Sequence, residues 1–260
     1  MATINRKVID ISHHNTVRSW DAVRSAGILG VIHKATEGRS YTDDRYLSRR
    51  APAMRAGLMW GAYHFANGRN VKAQVDHFLD VVGVNDETLY ALDWEDDPNG
   101  NTMTLDQARE FLQRIDARIG ANRCVVYSGH TAKEALGSRK DSSLGAHRLW
   151  LAQYTTTPSW QASWDTYWLW QYSDGMKGPP PHGCPGVTGK VDTNSWPRRD
   201  DELRAEWTGV ALPTPEPAPE FAAVNIDIKT KSPVRRRTSK RPRSGRRRGL
   251  ARPGSPIENA

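Results

Sequence analysis

Asp93 and Glu95, near the end of the stretch LYALDWEDD at 89–97, are residues whose types and spacing could do chemistry. An apolar run that reads as a buried strand gives way there to four carboxylates within five positions: Asp93, Glu95, Asp96 and Asp97. Residues two apart in a strand share a face, which would set the Cα atoms of Asp93 and Glu95 about 6.5–7 Å apart, with Trp94 pointing the other way. Asp96 and Asp97 fall where the strand meets PNGN and read as turn or helix-start residues. Clustered carboxylates repel one another, so at least one should keep its proton at neutral pH while another ionises. Glycoside hydrolysis requires such a pair, with a protonated acid for the leaving oxygen and an anion to stabilise positive charge at the sugar carbon or to assist attack there.

Elements that would position these acids recur along the chain. Eight short apolar or β-branched runs read as strands: 8–12, 30–36, 58–65, 88–95, 123–129, 148–154, 167–173 and 190–194. Between several of them lie helix signals at SWDAVRSAG, RYLSRRAPAMRAG and TLDQAREFLQRIDARIG, each closed by Gly. In the third, Thr104 is placed as N-cap and Ala108, Phe111, Leu112, Ile115 and Ile119 recur at helical spacing. The stretches 153–166 and 173–189 read as loops. Strand–helix alternation favours a parallel sheet, and eight strands permit closure. The fold class expected is therefore α/β, an irregular TIM-like β/α barrel with a disordered basic C-terminal tail, a doubly wound open sheet being the alternative. In a barrel the carboxyl ends of strands form one mouth, where Asp10, Asp93, Glu95 and Asp192 would converge because the last strand adjoins the first. Tyr63, Tyr127, Tyr154, Trp170 and Tyr172 lie near the same strand ends and could stack on sugar rings or bond to their hydroxyls.

Charge divides the chain as well. Residues 210–260 hold twelve Lys and Arg against four Asp and Glu, which accounts for the whole net charge of +8, whereas the first 209 residues balance. The expected organisation is a catalytic barrel at 1–209, a Pro-rich linker at 210–222 containing LPTPEPAPE, and an Arg-rich tail at 223–260 with too little apolar surface to order itself. Such a tail attracts polyanions through counterion release. It reads either as a solvated segment that aids solubility or as a binder of anionic envelope polymers. Nucleic acid is disfavoured, because the barrel is not basic and no aromatics interleave with the tail's Arg. No apolar run is long enough for a spanning helix, and the first residues lack the apolar region of a secretory signal. Cys124 and Cys184 fit no metal or disulfide framework and read as free thiols.

The motifs DISHHN (10–15), GVIHKATEG (30–38), GAYHF (61–65), LDWE (92–95), YSG (127–129), LWLAQY (149–154), WQYSDG (170–175) and VDTN (191–194) together resemble, in order and spacing, glycoside hydrolase family 25. That resemblance, over about residues 8–200, implies an irregular barrel cleaving the β-1,4 bond between N-acetylmuramic acid and N-acetylglucosamine of bacterial peptidoglycan, with no cofactor. It also implies Glu95 as general acid, Asp93 assisting the substrate's acetamido group or stabilising the intermediate, and Asp10 and Asp192 shaping the charge of the site. Sugar contacts are implied near Lys34, Glu37, Tyr63, Tyr127 and Gln171, with Tyr154 joining them by its place at the mouth. The wall-binding repeats often carried by the family's lytic members are not seen, and the missing export signal suits release as a phage-type endolysin from the host cytoplasm. Two rival readings are a catalytically silent glycan-binding barrel, and a metal-dependent hydrolase using the same four acids with His13 or His14.

Overall fold

The computed structural model describes residues 4–210. The expected linker, apart from its first residue, and the Arg-rich tail lie outside them. Eight strands form the frame: β1 (Arg6–Ile11), β2 (Gly30–Glu37), β3 (Met59–Phe65), β4 (Thr88–Asp93), β5 (Val125–Ser128), β6 (Leu149–Ala152), β7 (Leu169–Ser173) and β8 (Asp192–Ser195). They are hydrogen-bonded in the order β1-β8-β7-β6-β5-β4-β3-β2, and β2 pairs back to β1, so the sheet closes. All eight sequence-expected strands are present.

The sheet is not wholly parallel. β8 runs antiparallel to both neighbours, β1 and β7. The expected parallel barrel is thus corrected to a mixed one, for a local reason. Only the segment 174–191 joins β7 to β8, and it forms no crossover helix; its one regular element is the pair Val187–Thr188 against Thr16–Val17. Without a crossover, the next strand returns antiparallel.

Outside the sheet are α1 (Trp20–Ser25), α2 (Tyr46–Arg55), α3 (Val71–Val82), α4 (Leu105–Ile119), α5 (His130–Leu136), α6 (Ser142–Gly145) and α7 (Asp200–Glu206). α4 begins as expected. Thr104 accepts the Gln107 backbone N–H while the Gln107 side chain accepts that of Thr104, and the five periodic apolar residues are all buried. α3, which the sequence reading did not single out, buries Val71, Val75, Phe78, Leu79 and Val82 on one face behind an Asn70 cap.

Period-two alternation sorts each strand into two layers. Ile9, Trp60, Tyr90, Leu92, Val126 and Trp170 point outward to the helices, while Val8, Ile32, Leu89, Ala91, Val125, Trp150 and Leu169 fill the barrel. Trp207, just after α7, joins the inner cluster with Trp168 and Trp196. Its indole N–H donates to the Trp60 carbonyl at 2.8 Å. Gly30 is required there, since a Cβ would lie 2.5 Å from the Trp207 ring. Cys124 and Cys184 are buried free thiols, as expected.

Candidate active site

The alternation that fills the barrel with apolar side chains changes character at one end. Beyond Val8, Leu89, Val125 and Leu169, the next inward positions are Asp10, Asp93 beyond Ala91, Tyr127 and Gln171. With Tyr63, Glu95, Trp150 and Asp192 they line a cavity of about 60 Å³. Clefts of about 440 and 640 Å³ lie elsewhere on the surface, but neither gathers the acids. Chemistry, rather than volume, marks this mouth.

Asp192 reaches the mouth by a route the sequence did not disclose. It stands at the first residue of β8, and because β8 runs antiparallel its beginning lies beside the carboxyl ends of the others, with Asp192 opposite Asp10 in the ladder. Glu95 also needs correction. β4 ends at Asp93, so Glu95 comes from the following loop. The side-by-side relation survives because Trp94 is fully buried on the helix side, its indole N–H donating to the Met103 carbonyl at 2.8 Å. A third correction concerns Trp170 and Tyr172, which belong to the outer core rather than the mouth. Gln171 between them faces inward.

Burial dominates the electrostatics. Glu95 is pushed up from its ordinary 4.5 to about 7 by burial and then by the nearby Asp10 charge, against a pull from Lys34. Burial followed by repulsion from Glu95 raises Asp93 well above the usual carboxylate range, and its Oδ1 is buried with no hydrogen-bond partner. Asp10, also buried, rises only to about 6, because Gln171 and Asn194 donate to it. Asp192 rises to about 9 through burial and Asp10. Burial and mutual repulsion thus raise all four carboxyls, and the hydrogen bonds donated to Asp10 hold it below Glu95 and Asp192.

The remaining sequence-expected residues surround these acids. Tyr127 and Tyr154 donate their hydroxyls to Gln171 Oε1 at 2.7 and 2.9 Å. Lys34 Nζ bonds Glu37 Oε2 at 2.5 Å and lies 4.8 Å from the Phe65 ring centre, a cation at the rim. Trp150 and Asn194 were missed. Their signal was parity, since inward positions alternate along β6 and β8. His13 is engaged by Asp43 and Tyr41, and neither it nor His14 lines the acidic cavity. Among the described residues, no group of three or more His, Cys, Asp and Glu is arranged to hold a metal ion.

Residues 9–179 match the family model for glycosyl hydrolases family 25. Among curated proteins, the chain is 31% identical over 202 residues to lysozyme M1 of Streptomyces globisporus, covering 72% of this chain and 66% of that protein. It is 29% identical over 201 residues to an autolytic lysozyme of Clostridium acetobutylicum, covering 73% of this chain and 55% of the relative. The chain therefore spans just under two thirds, or about half, of these relatives' own lengths. Among solved structures, a bacterial lysozyme from Streptomyces coelicolor superposes with a TM-score of 0.70 at 29% identity, over 81% of this chain and 100% of that one. With eight ordered motifs, a closed mixed barrel and a family model spanning most of the barrel in agreement, the chain belongs to glycosyl hydrolase family 25.

Proposed function

We propose that this chain is an N-acetylmuramidase, hydrolysing the β-1,4 bond from N-acetylmuramic acid to N-acetylglucosamine in bacterial peptidoglycan. The observation that carries the reading is the convergence of four acids on one cavity at the barrel mouth, Asp10 and Asp93 buried and Glu95 and Asp192 half-buried, where burial and the neighbouring Asp10 push Glu95 up to about 7. Lysozymes and muramidases among the similar proteins support it.

Glu95 is assigned as general acid. Its proton passes to the glycosidic oxygen as the bond to the sugar carbon breaks, and the carboxylate left behind then takes a proton from the attacking water. Asp93 is assigned to the acetamido group of the substrate. Its partnerless Oδ1 can accept the amide N–H, which would favour its ionised form and aim the acetamido oxygen at the carbon gaining positive charge. Asp10 supplies fixed negative charge nearby, and Lys34, Glu37, Tyr63, Tyr127, Tyr154 and Gln171 form the walls and rim to which sugar hydroxyls bond. Mass spectrometry of digested peptidoglycan tests the reading: products should carry muramic acid at the reducing end. Reducing-end glucosamine, or free peptides alone, would contradict it.

The barrel at 1–209 is the catalytic unit in this reading. The tail's twelve cations against four anions over 210–260 are assigned to anionic envelope polymers, concentrating the enzyme at its substrate. Among the described residues no helix is long and apolar enough to cross a membrane. The site of action proposed is the cell wall, reached as an endolysin is. Expression in a host should lyse it only when the membrane is opened; lysis without that would contradict the release route.

A further inference from the structure

Repulsion among the acids explains why some stay protonated, but not which. Asp10 and Asp192 face each other across the β1–β8 ladder, yet their surroundings differ. Gln171 Nε2 donates to both Asp10 oxygens at 2.9 and 3.0 Å, and Asn194 Nδ2 donates to Oδ2 at 2.7 Å. Among the described residues, the Asp192 carboxyl receives no amide N–H. Both amides are themselves held in one orientation. Asn194 Oδ1 accepts the Trp150 indole N–H at 2.6 Å, and an indole nitrogen can only donate. Gln171 Oε1 accepts the two tyrosine hydroxyls. With both oxygens engaged, the NH₂ groups must face Asp10, and an NH₂ group cannot accept the proton of a neutral carboxyl.

We propose that Trp150 and Asn194 are positioning residues that, together with Gln171, hold Asp10 as the ionised member of the Asp10–Asp192 pair and so keep Glu95 protonated for its turn as acid. This rests on Glu95 being the general acid. Hydrogen bonds from fixed donors to a carboxylate in a dry site are stronger than neutral ones, so the arrangement favours charge on Asp10 over Asp192. The titratable and charged groups around Asp10 are Asp192 from β8, Asp93 from β4, Glu95 beyond it, Tyr63 from β3, Tyr127 from β5 and Tyr154 beyond β6. Lys34 of β2 acts on Asp93 and Glu95. Burial pushes all three tyrosine hydroxyls up, so they stay neutral. The charge on Asp10 is thus felt at Glu95 with little to offset it but Lys34.

Two variants test this. Asn194→Leu keeps the branched shape and removes the donor; Trp150→Phe keeps a ring and frees the Asn194 amide to turn. In Asn194→Leu the acid limb of the kcat/KM profile should move up and the alkaline limb down by about half a unit to one unit each, because Asp10 ionises less readily and stops raising Glu95. At pH 7, kcat should fall about 3- to 10-fold with KM within about twofold, and Trp150→Phe should move in the same direction by less. Carbon-13 carboxyl titration should place Asp10 below Asp192 in the parent and narrow the gap in both variants. An unchanged gap, or a uniform loss of activity at every pH, overturns the proposal. If Asn194→Leu does not fold, Trp150→Phe carries both readouts. The titration needs no substrate, so a parent without turnover but with the Asp10–Asp192 order intact would defeat the hydrolase reading, and with it the catalytic half of this inference, while leaving the amide-held charge on Asp10 standing.

Discussion

The two ends of the barrel are filled by different means and reach opposite chemistry. At the floor, Trp196 at the end of β8 meets Trp168, just before β7, and Trp207, just after α7, each at most 6% exposed and packed edge to face or tilted around Trp168. At the mouth, inward positions deliver Asp10, Asp93, Tyr127 and Gln171, with carboxyls pushed away from their ordinary ionisation. The floor converts burial into stability. The mouth gives stability up, because buried acids that must share protons are costly to enclose, and obtains reactivity instead. Substitutions at the two ends should therefore have opposite signatures.

The largest expected effect is at the mouth. Glu95→Gln should lower kcat about 10²- to 10⁴-fold, the usual contribution of a positioned general acid, while leaving the fold intact. Hydrolysis of purified peptidoglycan by that variant at the parent's rate would show the acid is wrongly assigned. At the floor, Trp207→Ala should destabilise by about 3–5 kcal/mol in denaturant unfolding, since it opens a large void under the barrel and removes the bond to the Trp60 carbonyl. The fraction that remains folded should turn over normally. A loss in kcat matching that of Glu95→Gln would erase the distinction between the ends.

Opposite signs should also appear in stability against pH. A carboxyl whose folded pKa is raised contributes stability below its unfolded pKa, and that contribution is lost as pH rises through the folded value, here about 7 for Glu95. Glu95→Gln should accordingly gain about 2–3 kcal/mol over the parent at pH 9 and little at pH 4. Equal differences at both pH values would mean that Glu95 is not held protonated by its surroundings. The smallest catalytic effect is expected outside the barrel. Truncation after Gly209 should keep hydrolysis of soluble fragments within about twofold, while weakening attachment to whole envelopes and removing its salt dependence. An unchanged salt profile would remove the tail's proposed role.

Much of this frame is legible from residue order. Each of the eight strands lies where β-branched and aromatic runs sit between turn residues, and α4 announces itself through Thr104 and its apolar spacing. The convergence of Asp10, Asp93, Glu95 and Asp192 follows once closure is assumed. What could not be read is strand direction at β8. Residues 174–191 show no helix signal, and that alone hinted at a return, but the placement of Asp192 at a strand's beginning emerges only from pairing. Trp170 and Tyr172 illustrate a different failure. Proximity to a strand end does not choose a face, and because Gln171 points inward its neighbours cannot. The same parity would have found Trp150 and Asn194. Helix α3 was legible in principle from Asn70 and the spacing of Val71, Val75, Phe78 and Val82, although its many β-branched residues weaken the local preference for helix.

The account depends most on Glu95 keeping its proton where an ordinary glutamate would have lost it. Carbon-13 titration of the Glu95 carboxyl in the intact protein measures this directly. A midpoint near 7 is predicted, from burial and the charge on Asp10. A midpoint near the ordinary 4.5 would contradict the account, because the mouth would then hold no acid able to act at neutral pH from that position.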